Sequence, residues 1–403
     1  MNKNSKFAPD MATQEKLWNK NYTKVMAVNF CLSFAFYLIT PLLPVYLSDT
    51  FHSPKDTIGF VLSGYALLAI AARPFSGYIA DTFHRKKVLV IFVLANFIMF
   101  GSYLAASSLL LFAIARTLHG APFGAATVAN NTMAIDVLPS SRRTEGIGLY
   151  GISNNLGTAI APTVAIFLFK WTNSYQLLFW LAFAVAGISF FLASSIDAPS
   201  KHKNQEKKKI SLDRFFLVKG WAIAINIFMF GYCYGVLSNY LAIYGKEKLG
   251  ITSGTGTYFM LLAAGLILSR FIGAKSLRKG RLIENVAGGI LISTVGYAIF
   301  ALWPSNIAYY GSAILIGLGN GHMWPGMQNM IINLAPNSRR ATANSTILTS
   351  WDIGLGVGIL LGGVVAEYLG YFATFLTTVV AHIIGVGLFF LLTKHHYRKH
   401  ALR

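Results

Sequence analysis

Charged side chains inside long apolar segments are rare in this sequence, and they are the first candidates for chemistry. Asp352 is the one acid that falls deep within such a segment. Counting about nine residues from the predicted start of its segment, at ~1.5 Å per residue, places it roughly 14 Å into a ~30 Å hydrocarbon core. We expect a carboxyl group at that depth to be protonated or paired, as a proton carrier requires. The alternative is a structural, hydrogen-bonded Asp packed among Gly354, Gly356 and Gly358.

Arg116 lies about one third of the way into another apolar segment. An arginine centred in lipid costs ~2.5–3.5 kcal/mol, so we expect its side chain to face protein or water. It could tune the protonation of a nearby acid or bind an anionic group, or backbone carbonyls could simply satisfy it. His119, one turn away on the same face, could relay protons or form a buried hydrogen bond. Arg116, Asp352 and His119 are therefore the candidates for proton coupling.

Two further arginines, Arg73 and Arg270, lie about one turn inside the ends of their apolar segments. We expect their side chains to extend to the polar surface, because a long aliphatic stem can stay in an apolar region while its charged group reaches water. The alternative is a symmetric pair that meets an anion when a cavity opens.

The segments that carry these residues are long enough to cross a membrane. The chain has 403 residues, a mean hydropathy of +0.54, 55% hydrophobic and only 12% charged residues. Crossing a bilayer as a helix takes roughly 20 apolar residues, whereas β-strands of a barrel would alternate in polarity. The sequence thus predicts an all-α membrane protein with twelve transmembrane helices. They span 25–46, 57–80, 88–108, 110–135, 145–169, 174–196, 216–243, 255–273, 283–303, 306–333, 342–366 and 371–393.

The formal net charge of +20 is informative through its distribution. With both termini in the cytoplasm, 27 of the 34 Lys and Arg residues lie in inner segments, and four lie in outer loops. This asymmetry follows the positive-inside rule and predicts a multi-pass protein of the bacterial plasma membrane, with an uncleaved first span. It also removes the reason to expect nucleic acid as a partner. The two cysteines, Cys31 and Cys233, fall in different halves and indicate neither a disulfide framework nor a metal site.

An internal repeat relates the two halves of the chain at an offset of 197 residues. The segment 139–143 (PSSRR) matches 336–340 (PNSRR), Arg73 matches Arg270, and Asn155 matches Asp352. We therefore predict a cytoplasmic N-terminus (1–24), a six-helix bundle (25–196), a cytoplasmic linker (197–215), a second six-helix bundle (216–393) and a basic cytoplasmic C-terminus (394–403). An even number of spans per repeat gives both bundles the same orientation, an architecture that transporters use.

Three motifs follow one another along the first half. Gly77, Asp81 and Arg85 are spaced by four residues, so they share one face of a helix. The same spacing recurs in Arg116, Gly120 and Gly124. Asp136 and Pro139 precede Arg142 and Arg143. A fourth pattern, from Gly157 to Pro162, has Ala161 in place of a second glycine.

Together these motifs resemble the major facilitator superfamily over about residues 25–393. The first resembles the family's loop 2–3 signature, with His84 where glycine is usual. The second resembles a motif of its proton-coupled members, and the fourth resembles a degraded antiporter motif. The resemblance implies a cytoplasmic gate formed by Gly77, Asp81, Arg85, Lys86, Asp136, Arg142 and Arg143. In that gate Asp81 would face the start of the eleventh span near 342–345, and Arg85 would pair with Asp136; the alternative is a segment that only fixes topology.

The family's fold also implies a central substrate cavity between the two bundles. Polar and aromatic residues on the spans expected to line it suit an amphipathic organic solute, although amides also join helices to one another. The candidates are Asn29, Tyr37, Asn130, Asn131, Asn155, Asn226, Tyr234, Asn239, His322, Trp324 and Gln328.

The resulting functional hypothesis is a secondary transporter that works by alternating access and exports a small organic compound in exchange for protons. The alternative is nutrient uptake by proton symport or facilitated diffusion; a metallophore exporter and a non-transporting receptor are further alternatives. No phosphate-binding GxxxxGK[ST] motif occurs, which disfavours ATP as the energy source. We expect no enzymatic activity, no cofactor and no metal, a proton gradient as the energy source, and function as a monomer in the lipid bilayer.

Overall fold

A computed structural model describes residues 17–53, 55–197, 215–251, 255–278 and 280–402. Most of the polar N-terminus and of the expected linker lies outside these ranges, as does the side chain of Arg270. The helices of the first half are α1 (Lys20–Ile39), α2 (Leu43–Phe51), α3 (Lys55–Thr82), α4 (Arg85–Ala105), α5 (Leu109–Val137), α6 (Arg143–Thr172) and α7 (Tyr175–Ser194). Those of the second half are α8 (Trp221–Leu249), α9 (Thr255–Arg278), α10 (Leu282–Leu302), α11 (Asn306–Leu334), α12 (Arg340–Leu388) and α13 (Lys394–His400).

Each of the twelve predicted spans corresponds to a helical segment. Within the described ranges, ten segments are long and apolar enough to cross a membrane. One of these runs from Asn337 to His400 and contains two predicted spans, which a non-helical residue, Gly370, separates inside α12. The tenth predicted span is α11, which is 29 residues long and is not among the ten. The all-α fold class is confirmed.

Serine side chains cap the N-termini of several helices. Ser108 accepts a hydrogen bond from the backbone N–H of Leu111 at the start of α5, and Ser305 accepts one from Ala308 at the start of α11. Such caps satisfy a backbone donor that the first turn of a helix leaves free. Ser108 and Ser305 are 197 residues apart, so the repeat extends to the helix caps.

Helix packing follows the same repeat. In the first half α1 packs against α6 and α7, and α3 packs against α5; in the second half α8 packs against α12, and α9 packs against α11. Gly120 of α5 approaches the backbone of α3 so closely that a Cβ atom would lie 2.1 Å from the Tyr65 carbonyl oxygen. Its repeat mate Gly317 approaches the Leu262 carbonyl oxygen of α9 equally closely, at 2.0 Å. Tyr65 and Leu262 are also repeat mates, so one glycine contact is built twice.

The two halves meet mainly at one end of the molecule. We call it the basic end, because it carries the loops rich in Lys and Arg. A single buried apolar cluster there combines residues of both halves, such as Ala80 and Ile135 with Ile331 and Ile347. Two other clusters lie toward the opposite end, and each consists of residues from one half only. The halves are therefore joined at the basic end and have separate cores at the other.

The glycine contacts give a prediction about stability. Gly120→Ala should lower the midpoint of thermal unfolding in detergent, because the new methyl group overlaps the α3 backbone, and such overpacking costs typically 1–3 kcal/mol. Gly311→Ala is the matched control: Gly311 is also helical, but nothing lies within 4 Å of its Cβ position. Equal midpoints for both variants, measured by fluorescence-detected size exclusion after heating, would contradict the close approach.

Candidate functional site

Asp81, at the end of α3, caps the first turn of α12 in the other half of the molecule. Its carboxylate accepts hydrogen bonds from the backbone N–H groups of Ala341 (3.0 Å) and Thr342 (2.7 Å) and from the Thr342 hydroxyl (2.8 Å). These are donors that the start of a helix leaves unsatisfied, and the helix dipole adds roughly 0.3–1 kcal/mol, up to ~2 when the site is partly buried. The side chain is only 6% exposed. The contact expected from the sequence is present.

Arg85 connects Asp81 to a second acid. Its guanidinium donates to Asp81 (3.0 Å), to Asp136 of α5 and to the backbone carbonyl of Asn337 (3.0 Å). Arg340, the first residue of α12, donates to the other oxygen of Asp136 (3.3 Å). Acids of the first half and arginines of both halves thus alternate in one partly buried network, which we call the latch: Asp81, Arg85, Asp136 and Arg340.

Gly77 allows the two helices of the latch to approach. A Cβ atom on Gly77 would lie 2.6 Å from Cβ of Ser345, and the Ser345 hydroxyl donates to the backbone carbonyl of Arg73 at 2.6 Å. The α3 and α12 backbones are therefore in direct contact beside the latch.

The other predicted gate residues surround this contact without crossing it. Arg142 forms an ion pair with Glu145 (2.9 Å), three residues later in its own half, and Arg143 donates to the Ile135 carbonyl (3.3 Å). Lys86 is half-buried at the start of α4. Arg340, the repeat mate of Arg143, supplies the ion pair across the two halves. The repeat contained this signal, but sequence reasoning applied it only to the first-half copy.

An amide cluster lies next to the latch, between α5, α11 and α12. Gln328 donates to the side-chain oxygen of Asn131 (2.7 Å) and to that of Asn344 (3.3 Å), and Asn344 donates to the Thr132 hydroxyl (3.2 Å). Asn131 and Gln328 are repeat mates, so their hydrogen bond joins equivalent positions of the two halves. We call these four residues the floor, because Asn131 and Gln328 also border the cavity described next.

A cavity of about 350 Å³ lies between the halves. This volume is at the lower end of the 300–1,000 Å³ typical of small-molecule sites. Seven of the predicted lining residues border it: Asn29, Tyr37, Asn131, Asn155, Tyr234, Trp324 and Gln328. Arg73, offered from the sequence as an alternative cavity residue, also borders it, and sequence reasoning missed other polar and aromatic members of the wall, which include Phe123, Thr127, Asn154, Asn320 and Trp351.

Two predicted lining residues instead join neighbouring helices. Asn130 is fully buried and donates to the Val25 carbonyl (3.1 Å) and the Tyr150 hydroxyl (2.9 Å). His322 is hydrogen-bonded to the Asn285 side chain (3.0 Å). Both predictions of a cavity position were wrong, because an amide or imidazole at the right depth can equally face an adjacent helix.

Two more predictions of a cavity position were wrong, because these side chains also point elsewhere around their helix. Asn226 is fully buried against the π-helical segment that ends α12, where it donates to the Thr393 hydroxyl (2.6 Å). Asn239 is exposed and donates to the Gly235 carbonyl (3.0 Å) of its own helix. Neither side chain borders the cavity.

Asp352 faces the cavity and is paired with Arg73. The distance from Nε of Arg73 to Oδ2 of Asp352 is 2.6 Å, and the two side chains are 9% and 23% exposed. Nη1 of Arg73 also donates to the Thr127 hydroxyl (3.2 Å). The expectation that Arg73 extends to the polar surface was wrong: its side chain is buried nine residues before the end of α3, where it pairs with Asp352 of the other half. The pair joins the two halves across the cavity wall.

Arg116 and His119 form a separate cluster behind that wall. The Arg116 guanidinium lies 4.2 Å from the centre of the Tyr65 ring and donates to the Tyr103 hydroxyl (3.3 Å), which also contacts Nδ1 of His119 (2.7 Å). Nε2 of His119 contacts the Asn96 side-chain oxygen (2.9 Å). Of the alternatives for Arg116, a neighbouring acid is absent from its contacts in the described ranges. Aromatic faces and a phenol dipole stabilise the charge instead, and the cluster has no direct contact with Asp352.

Comparison with known proteins decides the family. Residues 25–320 and 280–402 match the model of the Major Facilitator Superfamily. The chain belongs to this superfamily. It is therefore a multi-pass membrane protein and a transporter, not an enzyme, as the sequence predicted.

Three members of the superfamily illustrate a distant similarity to the chain. The staphylopine export protein of Staphylococcus aureus is 22% identical, with 85% of this chain and 89% of that protein aligned. The maltose permease of Geobacillus stearothermophilus is 26% identical, with 91% and 93% aligned. The crystal structure of the transporter FucP from E. coli, in the outward conformation, superimposes with a TM-score of 0.78 at 14% identity and covers 94% of this chain and 99% of that one. The superfamily fold is thus shown.

The latch gives a prediction about conformation. Asp81→Asn removes the charge that accepts three hydrogen bonds from α12, so the basic end should separate more often. A loss of 1–2 kcal/mol would change the ratio of closed to open molecules by about 5–30-fold. Spin labels at Ser141→Cys and Ser338→Cys, after Cys31 and Cys233 are replaced by serine, would report this as a larger population at long distances.

Asp197→Asn is the matched control for that experiment, because Asp197 is an exposed acid at the same end and lies outside the latch. It should leave the distance distribution unchanged. An unaltered distribution in Asp81→Asn would show that the latch does not hold the halves together.

Proposed function

We propose that the chain is a proton-coupled transporter that exports a small organic compound by alternating access. The observation that carries the proposal is the ion pair between Arg73 and Asp352, which joins the two halves at the wall of the central cavity. An ionisable residue within the membrane costs free energy, so its presence there indicates a substrate or proton pathway.

The gate in this proposal is the latch together with the floor. Both lie between the cavity and the basic end, where the halves also share one apolar core. The structure therefore corresponds to a state closed at the basic end. Opening that end requires Asp81 to leave the α12 N-terminus and Arg340 to leave Asp136. The cavity then becomes accessible from the basic end.

The coupling step in this proposal is protonation of Asp352. A proton on the carboxyl group would remove its charge and with it the ion pair to Arg73. Arg73 and Gly77 lie one turn apart on α3, and Asp352 and Ser345 lie two turns apart on α12. The ion pair and the latch thus hold the same two helices, so a change at the cavity alters the energy of the gate.

The direction of transport is proposed from similarity and orientation. On the basis of the positive-inside rule, we propose that the basic end, and with it both termini, faces the cytoplasm of a bacterial cell. One distant relative is an export protein, which supports export. The comparable similarity to a maltose permease favours uptake as the second candidate. In both cases we propose a monomer, in which the cavity between the halves is complete within one chain.

The coupling proposal predicts a change in pH dependence. In proteoliposomes, acidifying the side opposite the basic end should drive solute toward that side in the wild type. In Asp352→Asn that gradient should have no effect, because the residue can no longer exchange a proton. Counterflow of a solute panel, with and without the gradient, measures both.

Glu367→Gln is the control variant, because Glu367 is an exposed acid on the same helix. Its pH profile should match the wild type. Gradient-driven movement that persists in Asp352→Asn would assign Asp352 a structural role. If the wild type instead moves solute away from the acidified side, the result would favour uptake.

A further inference from the structure

The two halves contribute opposite kinds of binding group to the cavity wall. The first half supplies the cation Arg73 together with hydroxyl and amide groups, among them Thr127 and Asn131. Among the described lining residues, one is a basic residue, Arg73, and one is an acid, Asp352. An anion-binding side of the cavity therefore faces an acid on the other side.

The second half also lines the cavity with aromatic rings. Trp351 precedes Asp352 in α12, and its ring lies 5.2 Å from that of Trp324 and 5.6 Å from that of Tyr234, measured between centroids. A cavity lined by both a carboxylate and aromatic rings is a favourable environment for an organic cation, which gains from the charge and from the ring quadrupoles. This side of the cavity thus has the groups that bind an ammonium ion.

The ion pair between the two sides leaves binding capacity free. Arg73 presents Nε to one oxygen of Asp352 and Nη1 to Thr127, so the pair meets through one nitrogen and not through the parallel two-bond fork that Arg and a carboxylate can form. A ligand with both charges could replace this single contact by two ion pairs.

We propose that the substrate is a small zwitterion, whose acidic group binds Arg73 and whose ammonium group binds Asp352 against Trp351, Trp324 and Tyr234. The inference rests on the proposed transport function and specifies its substrate class. A solute with only one charge would pair with one of the two residues and leave the other without a partner in the cavity wall, which is unfavourable. A zwitterion leaves neither unpaired, and it spans the two halves that must move together.

Two matched sets of probes test this class with the full-length protein in lipid nanodiscs. The first set is L-phenylalanine, its decarboxylated analogue 2-phenylethylamine and its deaminated analogue 3-phenylpropionate. The second set is glycine betaine, choline and 3,3-dimethylbutyrate. Binding is measured at neutral pH by tryptophan fluorescence and by thermal shift. In at least one set the zwitterion should bind about tenfold or more tightly than both single-charge analogues.

Substitutions should invert this selectivity in opposite directions. In Arg73→Gln the ammonium analogue should bind at least as tightly as the zwitterion, and in Asp352→Asn the carboxylate analogue should. Arg73→Lys should retain the preference for the zwitterion. Lys170→Gln and Glu367→Gln remove exposed charges away from the cavity and should also retain it. A purely structural role of the ion pair would weaken all three probes together.

Three results would overturn the proposal: binding of neither zwitterion, equal binding of a single-charge analogue to the wild type, or no inversion in the two variants. The proposed function fails separately. Zwitterions that bind but are not moved by a pH gradient would preserve the substrate class and refute the coupling. A cation that exchanges for protons through Asp352 would do the reverse.

Discussion

The contact between α3 and α12 is the interaction on which the rest of the arrangement depends. It combines a carboxylate at a helix N-terminus, a glycine that lets the backbones touch, and an ion pair further along the same two helices. Desolvation of a carboxylate costs free energy, which hydrogen bonds and ion pairs must offset. Asp81 has such partners in α12 and in Arg85 of its own half, and Asp352 has Arg73 of the opposite half. The halves are thus held together by charges that are stable only while the halves are together.

The repeat supplies a scaffold that is nearly the same in both halves, and the chemistry comes from the places where the copies differ. Helix caps and glycine contacts recur at the 197-residue offset because they determine how helices pack. Some arginines recur as well, such as Arg143 and Arg340, but other polar positions differ: Asp352 stands opposite Asn155, and Gln328 opposite Asn131. Equivalent positions face the same cavity from two sides, so an unequal pair of residues there becomes a pair of different ligands for one solute.

How far the sequence alone could predict the site depended on what each pattern encodes. Hydropathy predicts which segments span the membrane, and each of the twelve predicted spans corresponds to a helical segment. The depth of Asp352 in the membrane stays a prediction. Helical spacing together with family resemblance predicted the contact of Asp81 with α12 and the Arg85–Asp136 pair. Neither pattern predicts which way a side chain points around its helix once several neighbours are available. Asn130, Asn226, Asn239 and His322 were misplaced for that reason, and Arg73 was given water as its partner when an acid of the other half was within reach.

Gly370 connects the eleventh and twelfth spans directly, and this limits how the two spans can move relative to each other. Its φ of 78° and ψ of 172° interrupt α12, and no loop residue separates the eleventh span from the twelfth. The helix that carries Asp352 and receives Asp81 is therefore tied at its far end by one residue to the last span. A connection so short has almost no slack, so a tilt of one span must be followed by its neighbour. A change at the Asp352 carboxyl group that tilts the eleventh span would therefore also move the last span.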